Sequence, residues 1–197
     1  MHNAIFASVM EDKIRERYRW GNMELKFIKV SSKDDIKILA KIANEVWHQH
    51  FASILTLDQI DYMVDKFQSE QAMTEQINSE GYEYYFLQFD GKFIGYTGFR
   101  EDNDKLFLSK LYILKDHRGN RFASNTFDFL QSICKERGLH AIWLTVNRYN
   151  DDTIEIYKKK GFKIIRTQVA DIGNGYVMDD YIMEKDLSML NKGIARI

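Results

Sequence analysis

Residues 106–124 read LFLSKLYILKDHRGNRFAS, and this stretch decides the fold class. Leu106 to Leu114 is an apolar-rich run that predicts a β-strand. A helix follows, beginning near Phe122 and ended by Gly138. At the junction, the backbone N–H groups of a tight turn converge with the donors of the helix start. We therefore predict a site for an anion such as pyrophosphate between this strand and this helix.

The junction itself, His117 to Ser124, contains residues suited to such a site. Gly119 lets the backbone approach a ligand closely, and Ala123 lets the helix pack against it. Arg118 and Arg121 add positive charge at the rim. The alternative is an ordinary strand-to-helix loop with solvated arginines, and the loop alone does not decide between the two.

A second group of candidate residues follows the next strand. Ala141 to Val146 is a continuous apolar run, typical of a strand buried on both faces. Asn150 then stands at the start of a short helix, Tyr157 lies two turns along it, and Gly161 ends it. Taken singly, Asn150 is explained as a helix cap and Tyr157 as a packing residue.

The remaining periodicity predicts a strand from Met23, helices starting near Asp35 and Leu57, and a short helix around Ser69 to Ile77. Asp90-Gly91 predicts a hairpin turn, and two last strands flank Gly173-Asn174-Gly175. We predict an α/β (α+β mixed) fold with the element order β-α-α-β-β-β-α-β-α-β-β and a mixed sheet flanked by helices.

The domain organisation follows from the same pattern. We expect one functional domain over residues 23–187, because no repeat or low-complexity linker interrupts it. Residues 1–22 are charge-rich and predicted to be an N-terminal extension in a loose helix, and residues 188–197 form a tail.

Composition excludes several classes of protein. The 197 residues are 45% hydrophobic and 29% charged with a net charge of −1, which is typical of a globular protein and gives no basic surplus for nucleic acid. Cys134 is the one cysteine, so no internal disulfide is possible. No apolar run reaches the roughly 20 residues that a membrane helix needs. Charged residues directly follow the short apolar stretch near the start, so we expect no secretory signal. We expect a cytoplasmic protein.

Together, the two groups of residues resemble the GNAT superfamily of N-acetyltransferases. The resemblance is based on Leu111-Tyr112-Ile113, Arg118 to Ala123, Asn150 with Tyr157, and Gly161-Phe162. The resemblance implies a twisted, mostly antiparallel central sheet and acetyl-CoA as co-substrate. The cofactor-binding residues it implies are Leu111, Tyr112, Ile113, Arg118, Gly119, Asn120, Arg121, Phe122, Ala123, Ser124, Asn150 and Tyr157.

The resemblance also implies roles for these groups. The main chain of Leu111 and Ile113 would bind the pantetheine arm, residues 119–124 the pyrophosphate, and Tyr157 would donate a proton to the leaving thiolate. Arg121 replaces the middle glycine of the family motif, and we expect it to adopt a helical conformation. The chain looks closest to bacterial polyamine-type enzymes of the superfamily, so a small primary amine is the expected acceptor.

The general base and the acceptor site are less well marked. Relatives often place a glutamate at position 107 or 109, where this chain has Phe107 and Ser109. Ser109, holding a water, and Glu83 are the candidate catalytic groups. The candidate substrate-binding residues are Trp47, His48 and Asp180. We expect no metal, because His48 and His50 have no third ligand at a convincing spacing.

Two other functions are consistent with the sequence. One is acetylation of proteins or peptides, which needs an open groove; the other is a non-catalytic acyl-CoA-binding sensor, which the presence of Tyr157 and Asn150 disfavours. A homodimer is a further expectation, based on the aromatic strand residues Tyr84, Phe86 and Phe93.

Overall fold

A computed structural model describes residues 14–20 and 23–188 of the chain. The strands are β1 (Ile14–Trp20), β2 (Met23–Lys29), β3 (Glu83–Phe89), β4 (Lys92–Asp102), β5 (Lys105–Ile113), β6 (Ala141–Asn147), β7 (Lys163–Gly173) and β8 (Tyr176–Asp186). The helices are α1 (Lys33–Phe51), α2 (Leu57–Gln68), α3 (Glu70–Ser79), α4 (Phe122–Arg137) and α5 (Asp151–Lys159). A short 3-10 helix, Lys115–His117, lies between β5 and α4. None of the described helices is long and apolar enough to cross a membrane.

Hydrogen bonds join the strands in the order β1-β2-β3-β4-β5-β6-β8-β7. The pairs β1–β2, β2–β3, β6–β8 and β7–β8 are antiparallel, whereas β5–β6 is parallel. The predicted mixed, mostly antiparallel sheet is therefore confirmed.

The chain divides into two compact units. The first contains β1–β3, α1–α3, β4 up to Gly98, and the segment Lys110–Asn125. The second contains Phe99–Ser109 and the chain from Thr126 onward. The prediction of one functional domain over residues 23–187 stays a prediction.

Local sequence explains how the elements begin and turn. Ser32 accepts a hydrogen bond from Asp35 N, and the Asp35 side chain accepts one from Ser32 N, so a reciprocal capping box starts α1. Asp90 and Gly91 both have positive φ, 49° and 73°, which is the requirement of a two-residue hairpin turn between β3 and β4.

The core of the first unit forms where the apolar stripe of α1 packs on β2, β3 and β4. The stripe includes Leu39, Ala43 and Val46, and its sheet partners include Tyr84 and Phe86. Tyr84 and Phe86 are 0% and 1% exposed. These two aromatic side chains are therefore part of the core, and the surface on which we predicted a homodimer does not exist in that form.

The core of the second unit is built from α4, β6, β8 and the first half of β5. Leu106, Leu108, Ile142 and Leu144 are buried, as expected for the inner strands of a sheet. Phe127 of α4 packs against Phe162 with ring centroids 5.4 Å apart, which ties the helix to the start of β7.

Two element predictions need correction. Ile14–Trp20 is a strand paired antiparallel with β2, so this part of the N-terminal extension is not a helix; Met1–Lys13 and Gly21-Asn22 lie outside the described residues. The short helix predicted around Ser69 to Ile77 is confirmed as α3, so three helices separate β2 from the hairpin, although the predicted element order had counted two. The predicted tail lies outside the described residues except for Ser188.

Candidate active site

The loop between β5 and α4 is held in shape by its own side chains. Arg118 Nε donates a hydrogen bond of 2.9 Å to the Ile113 carbonyl at the end of β5. Asn120 Nδ2 donates to the His117 carbonyl at 3.2 Å. Both contacts use backbone carbonyl groups as acceptors, while the N–H groups of His117 and Arg118 donate to the carbonyls of Leu114 and Lys115 at 2.9 and 3.2 Å.

Two residues of this loop have positive φ. Gly119 has φ = 81° and Arg121 has φ = 61°. The helical conformation expected for Arg121 is therefore wrong, because this residue adopts the left-handed geometry that glycine favours. The Arg121 carbonyl still accepts the first helical hydrogen bond, from Asn125 N at 3.1 Å. A Cβ at positive φ costs about 1–2 kcal/mol, so the turn is strained.

The start of α4 is suited to an anion. The first N–H groups of a helix have no partner within the helix, and the first turn of α4 contains no acidic residue. Asn125 Nδ2 is buried and has no hydrogen-bond partner within the described part of the chain. A bound pyrophosphate would supply acceptors for these donors, so the residues present fit it. Sequence reasoning missed Asn125, whose only signal is an amide in the first turn after the loop.

The β5–β6 ladder is short. Its parallel pairs run from Lys105↔Ala141 to Leu108↔Leu144, although β5 continues to Ile113 and β6 to Asn147. The predicted base candidate Ser109 is half-buried and directly follows the last paired residue. The residues predicted to bind the cofactor arm, Leu111, Tyr112 and Ile113, belong to the later part of the same strand.

Asn150 and Tyr157 lie at the start and on the body of α5. Asn150 occupies the N-cap position and is 8% exposed, but its side chain makes no capping hydrogen bond, so the ordinary cap role does not explain it. The Tyr157 ring packs against Phe127 and Phe162 at centroid distances of 6.0 and 5.7 Å. Burial raises the pKa of the Tyr157 phenol to about 12, so it is protonated at neutral pH.

Glu83, the other candidate base, is already engaged. Its Oε2 lies 2.9 Å from Lys29 Nζ and accepts a hydrogen bond of 3.2 Å from the Tyr85 hydroxyl. Both contacts hold the carboxylate within the sheet, against side chains of β2 and β3. The catalytic role of Glu83 stays a prediction that this geometry does not favour.

The two substrate-binding candidates on α1 differ in their contacts. Trp47 is 5% exposed and packs on Phe51 and Tyr112 at 4.6 and 5.7 Å, as a core residue does. His48 Nδ1 lies 2.8 Å from the Asn44 carbonyl and Nε2 lies 2.9 Å from Asp61 Oδ1. Both oxygens are acceptors, so both ring nitrogens donate in the imidazolium form. The contacts with Asn44 and Asp61 raise the His48 pKa, and the side chain ties α1 to α2.

The third candidate, Asp180 on β8, is the buried member of an acidic pair. Asp179 forms an ion pair with Arg148 at 3.0 Å. Asp180 is 7% exposed, and its Oδ1 has no hydrogen-bond partner among residues 14–20 and 23–188. Burial, with a smaller effect of the Asp179 charge, raises the Asp180 pKa to about 6. The described residues contain no group of three His, Cys, Asp or Glu side chains that could hold a metal ion.

Comparison with known proteins agrees with this arrangement. A spermidine N(1)-acetyltransferase of Thermoplasma acidophilum is 25% identical over 80% of this chain and 95% of its own length. An uncharacterized N-acetyltransferase of Mycobacterium tuberculosis is 32% identical over 50% of this chain, and the chain spans 63% of that relative's length. The crystal structure of a PaiA N-acetyltransferase from Thermoplasma acidophilum, in complex with coenzyme A, covers 82% of this chain and 98% of its own at 22% identity, with a TM-score of 0.68.

The family match covers the middle of the chain, from within α1 to the residue before β7. Residues 43–162 match the acetyltransferase (GNAT) family, and this range includes the β5–α4 loop, Asn150 and Tyr157. The chain therefore belongs to the GNAT acetyltransferase family.

Proposed function

We propose that this protein transfers the acetyl group of acetyl-CoA to a primary amine of a small molecule, with a polyamine as the favoured class. The observation that carries the proposal is the loop with positive φ at Gly119 and Arg121, which leads into a helix start with an unpartnered Asn125 amide. The similarity to a named spermidine N(1)-acetyltransferase over 95% of that relative's length supports the polyamine class.

The cofactor would be held by main-chain groups at two places. Residues 119–124 would donate N–H groups to the pyrophosphate, with the Asn125 amide as a further donor. Beyond Leu108, the edge of β5 no longer pairs with β6 in the ladder, so Leu111 and Ile113 would pair with the pantetheine arm as an added strand would. Acetyl-CoA, when bound, supplies an acetyl group activated as a thioester.

Tyr157 would protonate the leaving sulfur. A phenol with a pKa of about 12 remains protonated throughout the neutral range, which is the state that a proton donor needs. A thiol has a reference pKa of about 8.5, so transfer from this phenol is uphill unless it is coupled to the proton that the attacking nitrogen loses. Tyr157 would therefore hydrogen-bond to the sulfur as its charge develops and give up its proton as the proton from the nitrogen restores the phenol.

The acceptor is proposed to be bound as a cation, with Asp180 as the charge that attracts it. Trp47 would line the acceptor site with its apolar ring and make no polar contact, because this ring packs in the core. The cytoplasmic location and the homodimer stay predictions.

The test is acetyl-CoA-dependent release of free thiol with a panel of acceptors: spermidine, spermine, putrescine, lysine, aminoglycosides and short peptides. Turnover with polyamines supports the proposal. Turnover with peptides alone would favour the protein-acetylating alternative, and CoA binding without turnover on any acceptor would favour the acyl-CoA sensor. Absence of CoA binding would overturn the proposal itself.

A further inference from the structure

Asp180 lies beside the part of β6 that no longer pairs with β5. In the β6–β8 register Asp180 pairs with Asn147, three residues beyond Leu144, the last β6 residue paired with β5. Directly paired residues project from the same face of a sheet. The face of Asp180 is therefore also that of Trp143, whose ring stacks on Phe107 with centroids 4.1 Å apart.

The charges around Asp180 leave its carboxylate uncompensated. Its direct cross-strand neighbours, Asn147 on β6 and Gln168 on β7, are uncharged. Five other charged groups lie nearby. Asp179 is adjacent and paired with Arg148, and Glu184 of β8 is bound by Lys105 at 2.8 Å. Arg166, two residues before Gln168 on the same face of β7, pairs in register with Ile182. Burying a carboxylate without a partner is costly, so a position of this kind needs an explanation other than stability.

We infer that Asp180 is the general base that takes a proton from the ammonium group of the acceptor. The inference rests on the proposed function and deepens it. It replaces Ser109 and Glu83 in that role, because the carboxylate of Glu83 is held by Lys29. Asp180 both attracts the cation and removes its proton.

The proton and bond changes balance as follows. The Asp180 carboxylate accepts one proton from the R–NH₃⁺ group and later releases it to solvent. The neutral nitrogen attacks the thioester carbonyl, so a C–N bond forms and the C–S bond breaks. The sulfur takes a proton from Tyr157, and the second proton leaving the nitrogen restores the phenol. The products are the N-acetyl amine, CoA thiol and one proton.

The electrostatics of Asp180 suit this role. A general base is most effective when its pKa lies near the working pH. Burial raises the Asp180 pKa to about 6, against about 3.9 for an ordinary aspartate, which narrows the gap to an alkylammonium near 10.4. The carboxylate is still ionised at pH 7 and can accept a proton.

The pH dependence of kcat/KM for spermidine tests the inference without any variant. If Asp180 is the base, the wild-type protein uses the ammonium form, so kcat/KM is level above pH 7 and falls below about pH 6 as the carboxylate is protonated. If the protein uses only free neutral amine, kcat/KM rises tenfold per pH unit up to the pKa of the amine. The second result overturns the inference, although turnover itself would still support the proposed function.

The same pH dependence measured for Asp180→Asn provides a second test. We expect kcat/KM at pH 7 to fall by about 10²–10⁴-fold, and the deficit to shrink about tenfold per pH unit as free amine becomes available. Asp180→Glu should retain a level region at a reduced rate. A merely structural role predicts a deficit that does not change with pH. CoA binding by each variant, measured by calorimetry, shows that the fold and the cofactor site persist.

Asp179→Asn is the control for charge. The Asp179 charge raises the Asp180 pKa, so removing that charge lowers the pKa. Activity should therefore persist, and the pH below which kcat/KM falls should move to a lower value. Loss of activity in Asp179→Asn equal to that in Asp180→Asn would contradict a specific role for Asp180.

Discussion

Lys110 Nζ lies 3.2 Å from Gln76 Oε1 in the interior of the first unit, at 6% exposure of the lysine. The rings of Tyr82 and Tyr84 flank the same nitrogen, with centroids 5.0 and 5.3 Å away. Burial lowers the pKa of Lys110 to about 7, and a smaller effect of the Glu80 charge opposes the change. A lysine on β5 is thus close to half neutral at physiological pH.

The stability of the protein should depend on pH through Lys110. In the unfolded chain the amine has a pKa of about 10.4, so between pH 7 and pH 10 the unfolded state binds more protons than the folded state. The free energy of unfolding therefore rises with pH across this window, by about 2 kcal/mol from pH 7 to pH 9. Urea denaturation of wild type and Lys110→Met at both pH values isolates the contribution. An equal change in the free energy of unfolding between pH 7 and pH 9 in the two proteins would show that Lys110 keeps its ordinary pKa.

Lys110→Met should itself stabilise the protein at pH 7. Replacing a buried charge by an apolar side chain of similar volume commonly adds about 1–4 kcal/mol, and methionine adapts to the aromatic surroundings of Tyr82 and Tyr84. Lys37→Met, on the exposed side of α1, is the matched control and should change stability by less than about 0.5 kcal/mol. Destabilisation by Lys110→Met would mean that the Gln76 contact outweighs the cost of burial.

Arg121→Gly should relieve the strain in the loop before α4. Glycine removes the cost of a Cβ at φ = 61°, and its greater freedom in the unfolded chain offsets part of the gain, so we expect a net stabilisation of about 0.5–1 kcal/mol. Arg121→Ala is the control, since it removes the guanidinium but keeps the Cβ. The glycine variant should therefore be more stable than the alanine variant by thermal denaturation. Equal stability would show that the loop relaxes around the side chain.

Most of the fold is readable from local sequence, because caps and turn residues act over a few positions. Ser32 with Asp35 marks the start of α1, and Asp90-Gly91 marks the β3–β4 hairpin, both as predicted. β1 escaped notice because its charge-rich sequence resembles an exposed segment, and its strand conformation depends on pairing with β2. The pairing of one strand with another depends on residues far apart in the chain, so the periodicity of a single segment does not predict it.

The sequence suggests candidate site residues, whose roles stay predictions, but it does not show their electrostatics. The loop from Arg118 to Ser124 follows from spacing, whereas the left-handed conformation of Arg121 contradicts ordinary residue preference. The isolation of Asp180 and the burial of Lys110 arise from the elements packed around them. Sequence alternation shows only that a side chain points to one face, so neither pKa could be anticipated.

Tyr157→Phe should lower kcat with acetyl-CoA by roughly 10²–10³-fold while leaving CoA affinity nearly unchanged, because the ring packing on Phe127 and Phe162 is preserved. Tyr149→Phe, an exposed tyrosine just before α5, is the control and should retain wild-type turnover. The phenol must be protonated to donate, and with a pKa of about 12 it loses its proton only above the usual pH range of an assay. Wild-type activity should therefore show no alkaline loss between pH 8 and pH 10 from this group. A kcat unaffected by the substitution would remove Tyr157 from the mechanism.

The outer edge of β7 should carry the homodimer contact. β7 stands last in the strand order and pairs, among the described strands, with β8 alone, while its residues Ile164, Ile165 and Val169 are 42%, 54% and 69% exposed. An exposed edge strand with apolar side chains pairs readily with a second copy across a two-fold axis. Sedimentation equilibrium should give a dimer for wild type and a monomer for Val169→Lys. Ile38→Lys adds the same charge at an exposed apolar position on α1 and should leave the dimer intact. A monomeric wild-type protein at tens of micromolar would contradict the prediction, and dissociation by both variants would show that added charge alone is responsible.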